Sequence, residues 1–233
     1  MVVSHRFVVV AAIFTTCLIT ANIIAVKLIT LGVGPIRIGA LELPAPLPAA
    51  IIIFPLSYIF GDILTEVYGY RLARRVIWLA FLCNILAVTA FWVGGLMPAL
   101  DADVQSAYEV ILGYTPRILA ASFAAYLVGE FANSFILAKM KIKTGGRFLW
   151  SRTISSTIVG QGLDTVMFIT IAFAGTLPWA ILGSIILTHW LAKTGYEVVA
   201  TPFTYTVVNF LKKKEGIDTF DYDTDFNPLL VIR

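Results

Sequence analysis

The chain of 233 residues is 59% hydrophobic and 13% charged, whereas a soluble domain is about 45–50% apolar and about 25% charged. This composition indicates a membrane protein, in which six helical spans of about 20 residues each would use about half of the chain. The length excludes an appended ATPase half, kinase or nucleic-acid-binding module, and the net charge of +3 requires an explanation from membrane topology before one from a ligand.

Long apolar runs separated by charged or Pro/Gly-rich breaks predict six spans. The first resembles a signal peptide but lacks a small-x-small cleavage site, so we interpret it as a retained span. The last contains Gly183, Gly195 and Pro202 and is too long for one straight span, so we expect either a tilted, kinked helix or a short entry segment followed by a broken helix. Cys17 and Cys83 lie in apolar runs and are expected to be buried packing residues. The predicted spans are residues 7–28, 47–68, 76–97, 118–140, 154–175 and a stretch within 179–211.

The connections are polar or proline-rich. Residues 32–48 contain four prolines and predict an extended, stiff external loop that ends with Pro48 in the first turn of the second span. The aspartates near the C-terminus alternate as in calcium loops, but Phe226 occupies the position that needs glycine and the final glutamate is missing. We therefore expect one transmembrane domain, residues 1–214, followed by a polar cytoplasmic tail, residues 215–233, that is solvated or docked on the surface.

Basic residues fall at every second boundary between spans, and 12 of the 17 lie on one predicted side. Short cytoplasmic loops carry an excess of Lys and Arg. The sequence therefore predicts an all-α membrane protein with six transmembrane helices and cytoplasmic N- and C-termini. Because the insertion of the spans into the membrane and the attraction to anionic lipid headgroups explain the basic residues, no nucleic-acid partner is expected. The twelve are Arg6, Arg71, Arg74, Arg75, Lys139, Lys141, Lys143, Arg147, Arg152, Lys212, Lys213 and Lys214.

Several ionisable or polar side chains lie inside the predicted spans, where a charge costs at least about 2.5–3.5 kcal/mol and needs a partner or a water-filled cavity. Asp62 and Glu66 are four residues apart and therefore on one helix face. Gly160 and Gly162 leave room for another helix or a ligand to approach the fifth span. The other polar candidates at depth are Glu130 with Asn133, Gln161 with Asp164, and Lys193, His189 and Glu197.

Structural roles are alternatives for some of these residues. Glu66 can pair with one of the three arginines that follow the second span. Lys193 and Glu197 are four residues apart and can neutralise each other within their helix. Glu130 and Asp164 have no cation in their own helices, so either Lys193 serves both or a polar cavity exists.

Four carboxylates at depth face a single close cation, Lys193. Such an excess is relieved by protonation or by a ligand that supplies N–H donors or positive charge. Aromatic side chains of the same spans, including Tyr58, can stack on a planar ligand. The sequence contains no Gly-rich phosphate loop and no His-Glu-x-x-His pair, so we expect no cofactor, no metal and no enzyme. An intramembrane aspartyl hydrolase built on Glu130 and Asp164 is a weaker alternative.

Two segments of the chain form family-like motifs. The first is Phe54-Pro-Leu-Ser-Tyr-Ile-Phe-Gly-Asp-Ile-Leu-Thr-Glu-Val-Tyr-Gly-Tyr70, followed by three arginines, and the second is Gly160-Gln-Gly-Leu-Asp-Thr165. Together they resemble the queuosine precursor transporter family, also described as the vitamin-uptake-like family. The basic loop and the Phe-Asn-Pro at residues 226–228 are similar as well, whereas residues 98–116 give no match.

The resemblance implies uptake of queuosine precursors across a bacterial inner membrane: 7-cyano-7-deazaguanine, 7-aminomethyl-7-deazaguanine or queuine. It also implies a six-helix fold similar to the substrate-binding components of energy-coupling-factor vitamin transporters. Carried over to this chain, the motifs place Asp62, Glu66, Gln161 and Asp164 in the substrate site. To this substrate site, depth within the spans adds Glu130, Asn133, Lys193 and Glu197, and the aromatic ring adds Tyr58.

Two kinds of transport protein fit these expectations. A secondary or facilitative transporter moves the base by itself, and protonation of Asp62 or Glu66 is a hypothesis for its coupling. A substrate-binding subunit would instead need a separate energising complex. The expected partners are a small-molecule 7-deazapurine and the lipid bilayer. The sequence allows a homo-oligomer and fixes neither the preferred base nor the coupling ion.

Overall fold

Apolar helices account for most of the computed structural model, which describes residues 4–29, 36–38, 41–43, 47–113 and 116–230. Within these ranges the α-helices are α1 (His5–Ile24), α2 (Phe54–Ile63), α3 (Tyr70–Gly95), α4 (Ala102–Leu112), α5 (Pro116–Thr144), α6 (Leu149–Phe173) and α7 (Trp179–Glu215).

Five helical segments of the described chain are long and apolar enough to cross a membrane: His5–Ile24, Ala49–Tyr68, Tyr70–Gly95, Ala102–Thr144, which contains α5, and Leu149–Phe173. Helix α7 is long enough, since its 37 residues extend about 55 Å, but it contains polar residues such as His189, Lys193 and Glu197 and is not one of these five. It continues through Pro202 as one helix, so the predicted alternative of an entry segment and a broken helix is wrong. The six predicted spans thus correspond to helical segments of the structure.

The second span is not a uniform helix. It begins as a 3₁₀ turn, Ala49–Ile52, continues as α2 and ends as a π-helical turn, Leu64–Tyr68. Pro48 precedes the 3₁₀ turn as its N-cap residue. Gly69 follows the π-helical turn with φ +86°, a backbone conformation that glycine tolerates and other residues rarely adopt. The sequence motif therefore contains a change of helix type and a sharp junction.

Short strands connect α1 to the second span. Strand β1 (Leu28–Ile29) pairs antiparallel with β4 (Leu47–Pro48), and β2 (Ile36–Ile38) pairs antiparallel with β3 (Leu41–Leu43). The predicted stiffness of this loop depends on prolines that lie largely outside the described residues.

The helices pack with α5 along α6 and α6 along α7, while α1 packs on α2 and α3. The apolar core includes Phe14, Ile63 and Val67. Large apolar side chains also face outward, as Leu86 and Val199 do, which is the pattern expected of lipid-facing surfaces. Cys17 is buried as predicted, and Cys83 is half-buried.

Two glycines, one from α5 and one from α6, make a close helix crossing. A Cβ atom on Gly160 would lie 2.9 Å from the carbonyl oxygen of Gly129 and 2.7 Å from the Cβ of Asn133. The predicted close approach at Gly160 is therefore made by a helix, and the ring of Trp190 lies against Gly162.

Both ends of the described chain lie at the same end of the bundle. Ser4 Oγ donates to Glu215 Oε1 at 2.7 Å, so the start of α1 meets the end of α7. The segment 217–230, here called the tail, docks on the helices: Tyr70 N donates to Asp221 at 2.9 Å, and Arg74 Nη1 donates to the carbonyl oxygens of Asp225 and Asn227. Of the two predicted forms, the tail is the surface-docked one.

Candidate functional site

A cavity of about 440 Å³ opens between α1, α2, α5, α6 and α7. Its walls are mainly apolar, with Phe54 from α2 and Phe168 from α6. Its ionisable lining groups are Asp164, His189, Lys193 and the phenol of Tyr126. A largely apolar cavity with a few convergent polar groups is the usual form of a small-molecule site, and the volume lies within the common range of about 300–1,000 Å³.

An ion pair joins α6 to α7 at the wall of this cavity. Lys193 Nζ lies 2.8 Å from Asp164 Oδ2 and 3.5 Å from Thr165 Oγ1. The same nitrogen sits 4.2 Å from the centre of the Phe54 ring, which adds a cation–π contact. Because Lys193 pairs with Asp164, the alternative in which Lys193 and Glu197 neutralise each other is wrong.

Behind the cavity wall lie three buried carboxyl groups, here called the interior acid cluster: Asp62 on α2, Glu130 on α5 and Glu197 on α7. Asn133 Nδ2 donates to Asp62 Oδ1 at 2.7 Å, which ties α5 to α2. A Cβ on Gly61 would lie 3.2 Å from Glu130 Oε2, so the absence of a side chain there admits the carboxyl group. The carboxyl groups of Glu130 and Glu197 are both close enough to Asp62 for electrostatic interaction.

The interior acid cluster contains more acceptors than donors. Five of its six carboxyl oxygens have no hydrogen-bond partner within the described chain, and Asp62 Oδ1 is the sixth. Asn133 Oδ1, Gln161 Oε1 and the Tyr58 hydroxyl are also buried without a partner in those residues. Since unpaired buried acceptors cost about 1–3 kcal/mol each, this region requires hydrogen-bond donors, which protons on the carboxyl groups, buried water or a ligand can supply.

Glu66 belongs to a different site, here called the ion-pair cluster. Both terminal nitrogens of Arg152 donate to its carboxylate, Lys212 Nζ lies 2.6 Å from Oε1, and Lys141 Nζ lies 3.6 Å from Oε1. Asp218 of the tail completes this cluster by accepting from Lys141 and Lys212. The predicted pairing of Glu66 with the arginines that follow the second span is wrong.

Glu66 lies one turn beyond Asp62, in the π-helical turn that ends the second span, and there it meets the basic residues of the ion-pair cluster. Its carboxylate still interacts electrostatically with Asp62. Arg74, the buried member of the three arginines, binds the tail instead of a carboxylate.

The structure thus gathers eight of the nine predicted site residues around the cavity wall and the cluster behind it. Gln161 lies one helical turn before Asp164 and is buried. Arg152 and Lys141 were predicted only as cytoplasmic charges, because a buried basic residue at a span boundary has the same sequence signature as an exposed one. No group of three or more metal-ligating side chains occurs in the described part of the chain. The eight are Tyr58, Asp62, Glu130, Asn133, Gln161, Asp164, Lys193 and Glu197.

Comparison with known proteins gives matches to transporters. Residues 48–207 match the model of a family described as "Putative vitamin uptake transporter". A protein of Bacillus subtilis (strain 168) named "Probable queuosine precursor transporter" is 30% identical over 157 residues, which are 66% of this chain and 68% of that protein. The "Queuosine precursor transporter" of Escherichia coli (strain K12) is 25% identical over 142 residues, 59% of this chain and 58% of that protein, so less than two thirds of its length is matched. No solved structure gives a significant match.

Proposed function

The chain belongs to the vitamin-uptake-like family of queuosine precursor transporters, and from this membership we propose that it imports a queuosine precursor across a bacterial inner membrane. The proposed substrates are 7-cyano-7-deazaguanine, 7-aminomethyl-7-deazaguanine and queuine, which share a guanine-like edge. The multi-pass helical bundle and the transporter role of the family are the basis of this proposal.

The observation that carries the proposal is the Asp164–Lys193 pair in the wall of an otherwise apolar cavity. A deazaguanine presents a ring N–H and an exocyclic amine side by side, which one carboxylate accepts in a bidentate manner, while the adjacent carbonyl oxygen accepts from an ammonium group. Asp164 and Lys193 provide these two complementary groups. The flat bicycle has apolar area to place against Phe54 and Phe168.

The ion-pair cluster supports the proposed orientation. It collects Lys141, Arg152 and Lys212 at the end of the bundle where α1 begins and α7 ends. By the positive-inside rule this end faces the cytoplasm, with both termini. A six-helix arrangement similar to energy-coupling-factor substrate-binding components remains part of the proposal.

Asp164→Asn tests the substrate site. We expect uptake of labelled 7-cyano-7-deazaguanine to fall at least tenfold in cells that cannot synthesise queuosine, because the amide offers one acceptor oxygen where the carboxylate offers two and leaves Lys193 without its counter-ion. Membrane abundance, measured by immunoblot, is expected to stay at the wild-type level. Asp223→Asn is the matched control, since Asp223 is exposed in the tail. Unchanged uptake by Asp164→Asn would contradict the assignment.

A substrate-binding subunit of a larger complex is the alternative function. Purified protein in liposomes separates the two, because a transporter exchanges internal and external labelled base without any partner. Binding without exchange would support the subunit, and conversion of the base in the same vesicles would indicate an enzyme.

A further inference from the structure

The interior acid cluster is a place where three negative charges would be extremely costly. Asp62 and Glu130 are fully buried and Glu197 is 1% exposed. Removing a carboxylate from water costs several kcal/mol even after the protein relaxes around it. Only a well-placed cation and hydrogen bonds offset this cost.

No cation among the described residues compensates the negative charge of the interior acid cluster. Lys193, one helical turn before Glu197, places its ammonium group on Asp164. Lys141, Arg152 and Lys212 are engaged with Glu66 in the ion-pair cluster. The charge of the interior acid cluster is therefore uncompensated unless its carboxyl groups carry protons.

The neighbouring polar groups independently indicate missing protons. Asn133 Oδ1 and Gln161 Oε1 are buried acceptors without a donor among the described residues, and the Tyr58 hydroxyl, also buried, has no acceptor or donor there. A carboxylic acid supplies the O–H donor that such acceptors lack, whereas a carboxylate adds two more acceptors.

The geometry disfavours a metal ion or the substrate as the occupant. The cluster does not form a metal-ligand group in the part of the chain that the structure describes. The cavity is lined by Asp164, and not by Asp62, Glu130 or Glu197. A planar base that contacts Asp164 would thus lie on the other side of the wall.

We propose that the interior acid cluster is a proton-binding site that couples substrate import to the proton gradient. This inference rests on the proposed transport function. Glu130 interacts electrostatically with Asp164, and two adjacent carboxyl groups resist carrying two negative charges, so a proton on Glu130 leaves the charge on Asp164, whose ionised form accepts the substrate. The proton and the substrate therefore favour each other's binding, and by thermodynamic linkage the effect is reciprocal. The expected mode is symport.

The charged surroundings agree with this assignment. From α1 the side chain that faces Gly61 and Glu130 is the apolar Phe14. The titratable or charged groups near the cluster are Tyr58 on α2, Glu66 in the π-helical turn, Tyr126 on α5, Asp164 on α6 and Lys193 on α7, and His189 lies beside Lys193.

The test uses the full chain in liposomes with the membrane potential clamped by potassium and valinomycin. The probe is labelled 7-cyano-7-deazaguanine, which has no basic amine to carry a proton itself. With one proton per substrate, an outside-acid gradient of one pH unit should raise the accumulation ratio about tenfold in wild type. Glu130→Gln and Glu197→Gln imitate the protonated acid, so their ratios should become insensitive to the gradient. Each ratio is taken within one variant, so a change in absolute rate does not affect it.

Glu109→Gln, on the exposed helix α4, is the control and should keep the wild-type ratio. A gradient response in both glutamine variants equal to wild type would overturn the proposal, as would a wild type that ignores the gradient.

A second measurement separates failure of the coupling site from failure of the transport function. Infrared spectra of the purified protein at neutral pH should contain the carbonyl band of buried carboxylic acids, and that band should weaken in Glu130→Gln and more so when Glu197→Gln is added. An absent or unchanged band overturns the proton site whatever the transport result. A clear band without any exchange of the base in wild type refutes the proposed substrate and leaves the protonated cluster established.

Discussion

Two buried glutamates of this protein have opposite surroundings. Glu66 is held by Arg152, Lys141 and Lys212, whereas Glu130 has no hydrogen-bond partner in the described residues. Glu66 therefore joins the π-helical turn to α5, α6 and α7 through ion pairs, whereas Glu130 makes no such link in those residues. The positions of the cations, rather than depth alone, therefore divide the acidic residues into structural and functional groups.

Glu66→Gln should destabilise the protein strongly. The substitution leaves the buried guanidinium of Arg152 without its carboxylate, and removing one partner of a buried pair costs about 3–5 kcal/mol. We expect a lower midpoint of thermal unfolding in detergent and less folded protein in the membrane. The double variant Glu66→Gln/Arg152→Gln should recover part of this loss because it also removes the unpaired charge. A single variant that unfolds at the wild-type temperature would show that the ion-pair cluster is not structural.

The residue positions of the site could be predicted from the sequence, but their pairing could not. Asp164 and Lys193 were recognised because charged residues in apolar spans need partners. Lys193 has the carboxylate of Glu197 one turn away on its own helix, but the packing of α7 on α6 places its ammonium group next to Asp164. Glu66 pairs with Arg152, which is 86 residues away, and sequence proximity favoured the arginines that follow Glu66. Such choices depend on helix packing, which the local pattern does not contain.

At the scale of elements, the crossing of α5 and α6 fixes the site. Gly129 and Gly160 allow the two backbones to touch, and a Cβ on Gly129 would lie 2.7 Å from the Tyr58 hydroxyl and 2.8 Å from the Cβ of Asp164. The same crossing thus brings Asn133 of α5 next to α6 and sets the depth of Asp164.

Gly160→Ala should separate these helices. The added methyl group would approach the Gly129 carbonyl oxygen and the Asn133 Cβ within 3 Å, and overpacking of this kind costs about 1–3 kcal/mol. We expect a lower thermal midpoint and a several-fold weaker binding of 7-cyano-7-deazaguanine, measured by calorimetry.

Gly183→Ala is the matched control on α7, because among the described residues no atom outside its own stretch of helix lies within 4 Å of the added Cβ. It should leave both quantities unchanged or raise the thermal midpoint slightly through helix propensity. Equal behaviour of the two alanine variants would contradict the importance of the crossing.

Most element boundaries followed from hydrophobicity, with two exceptions. The second span has the length and apolar content of one helix, and nothing in its composition distinguishes the 3₁₀ and π-helical turns from α-helix. Helix α4 was missed because it has no buried face. Its N-cap, Asp101, accepts from Asp103 N at 2.7 Å, and this capping signal was present in the sequence.

At the scale of the whole molecule, the tail joins elements that are distant in the chain. It contacts α3 through Tyr70 and Arg74, and α5 through Lys141, whose ammonium group also donates to the Thr219 carbonyl oxygen. Gly69 permits this approach, because a Cβ there would lie 2.7 Å from Thr219 Cγ2. The polar composition of the tail indicated only its position outside the spans, since the docking combines the carboxylates of Asp218 and Asp221 with backbone carbonyls, and the local pattern does not name their partners.

The docking of the tail should depend on pH in a defined direction. Burial raises the pKa of Asp218, but hydrogen bonds from Lys141 and Lys212 outweigh this effect and hold the pKa below its usual value. A depressed pKa stabilises docking at pH values above the undocked pKa, about 3.9, and this contribution is lost as the pH falls through the docked value. Hydrogen–deuterium exchange of residues 217–230 should therefore be unchanged between neutral pH and about pH 5, after correction for intrinsic rates, and should increase below about pH 4.

Asp218→Asn should show faster exchange already at neutral pH, while Asp223→Asn, which alters an exposed aspartate, should match wild type. Loosening of the wild-type tail well above pH 5, or equal protection in Asp218→Asn, would mean that Asp218 does not hold the tail.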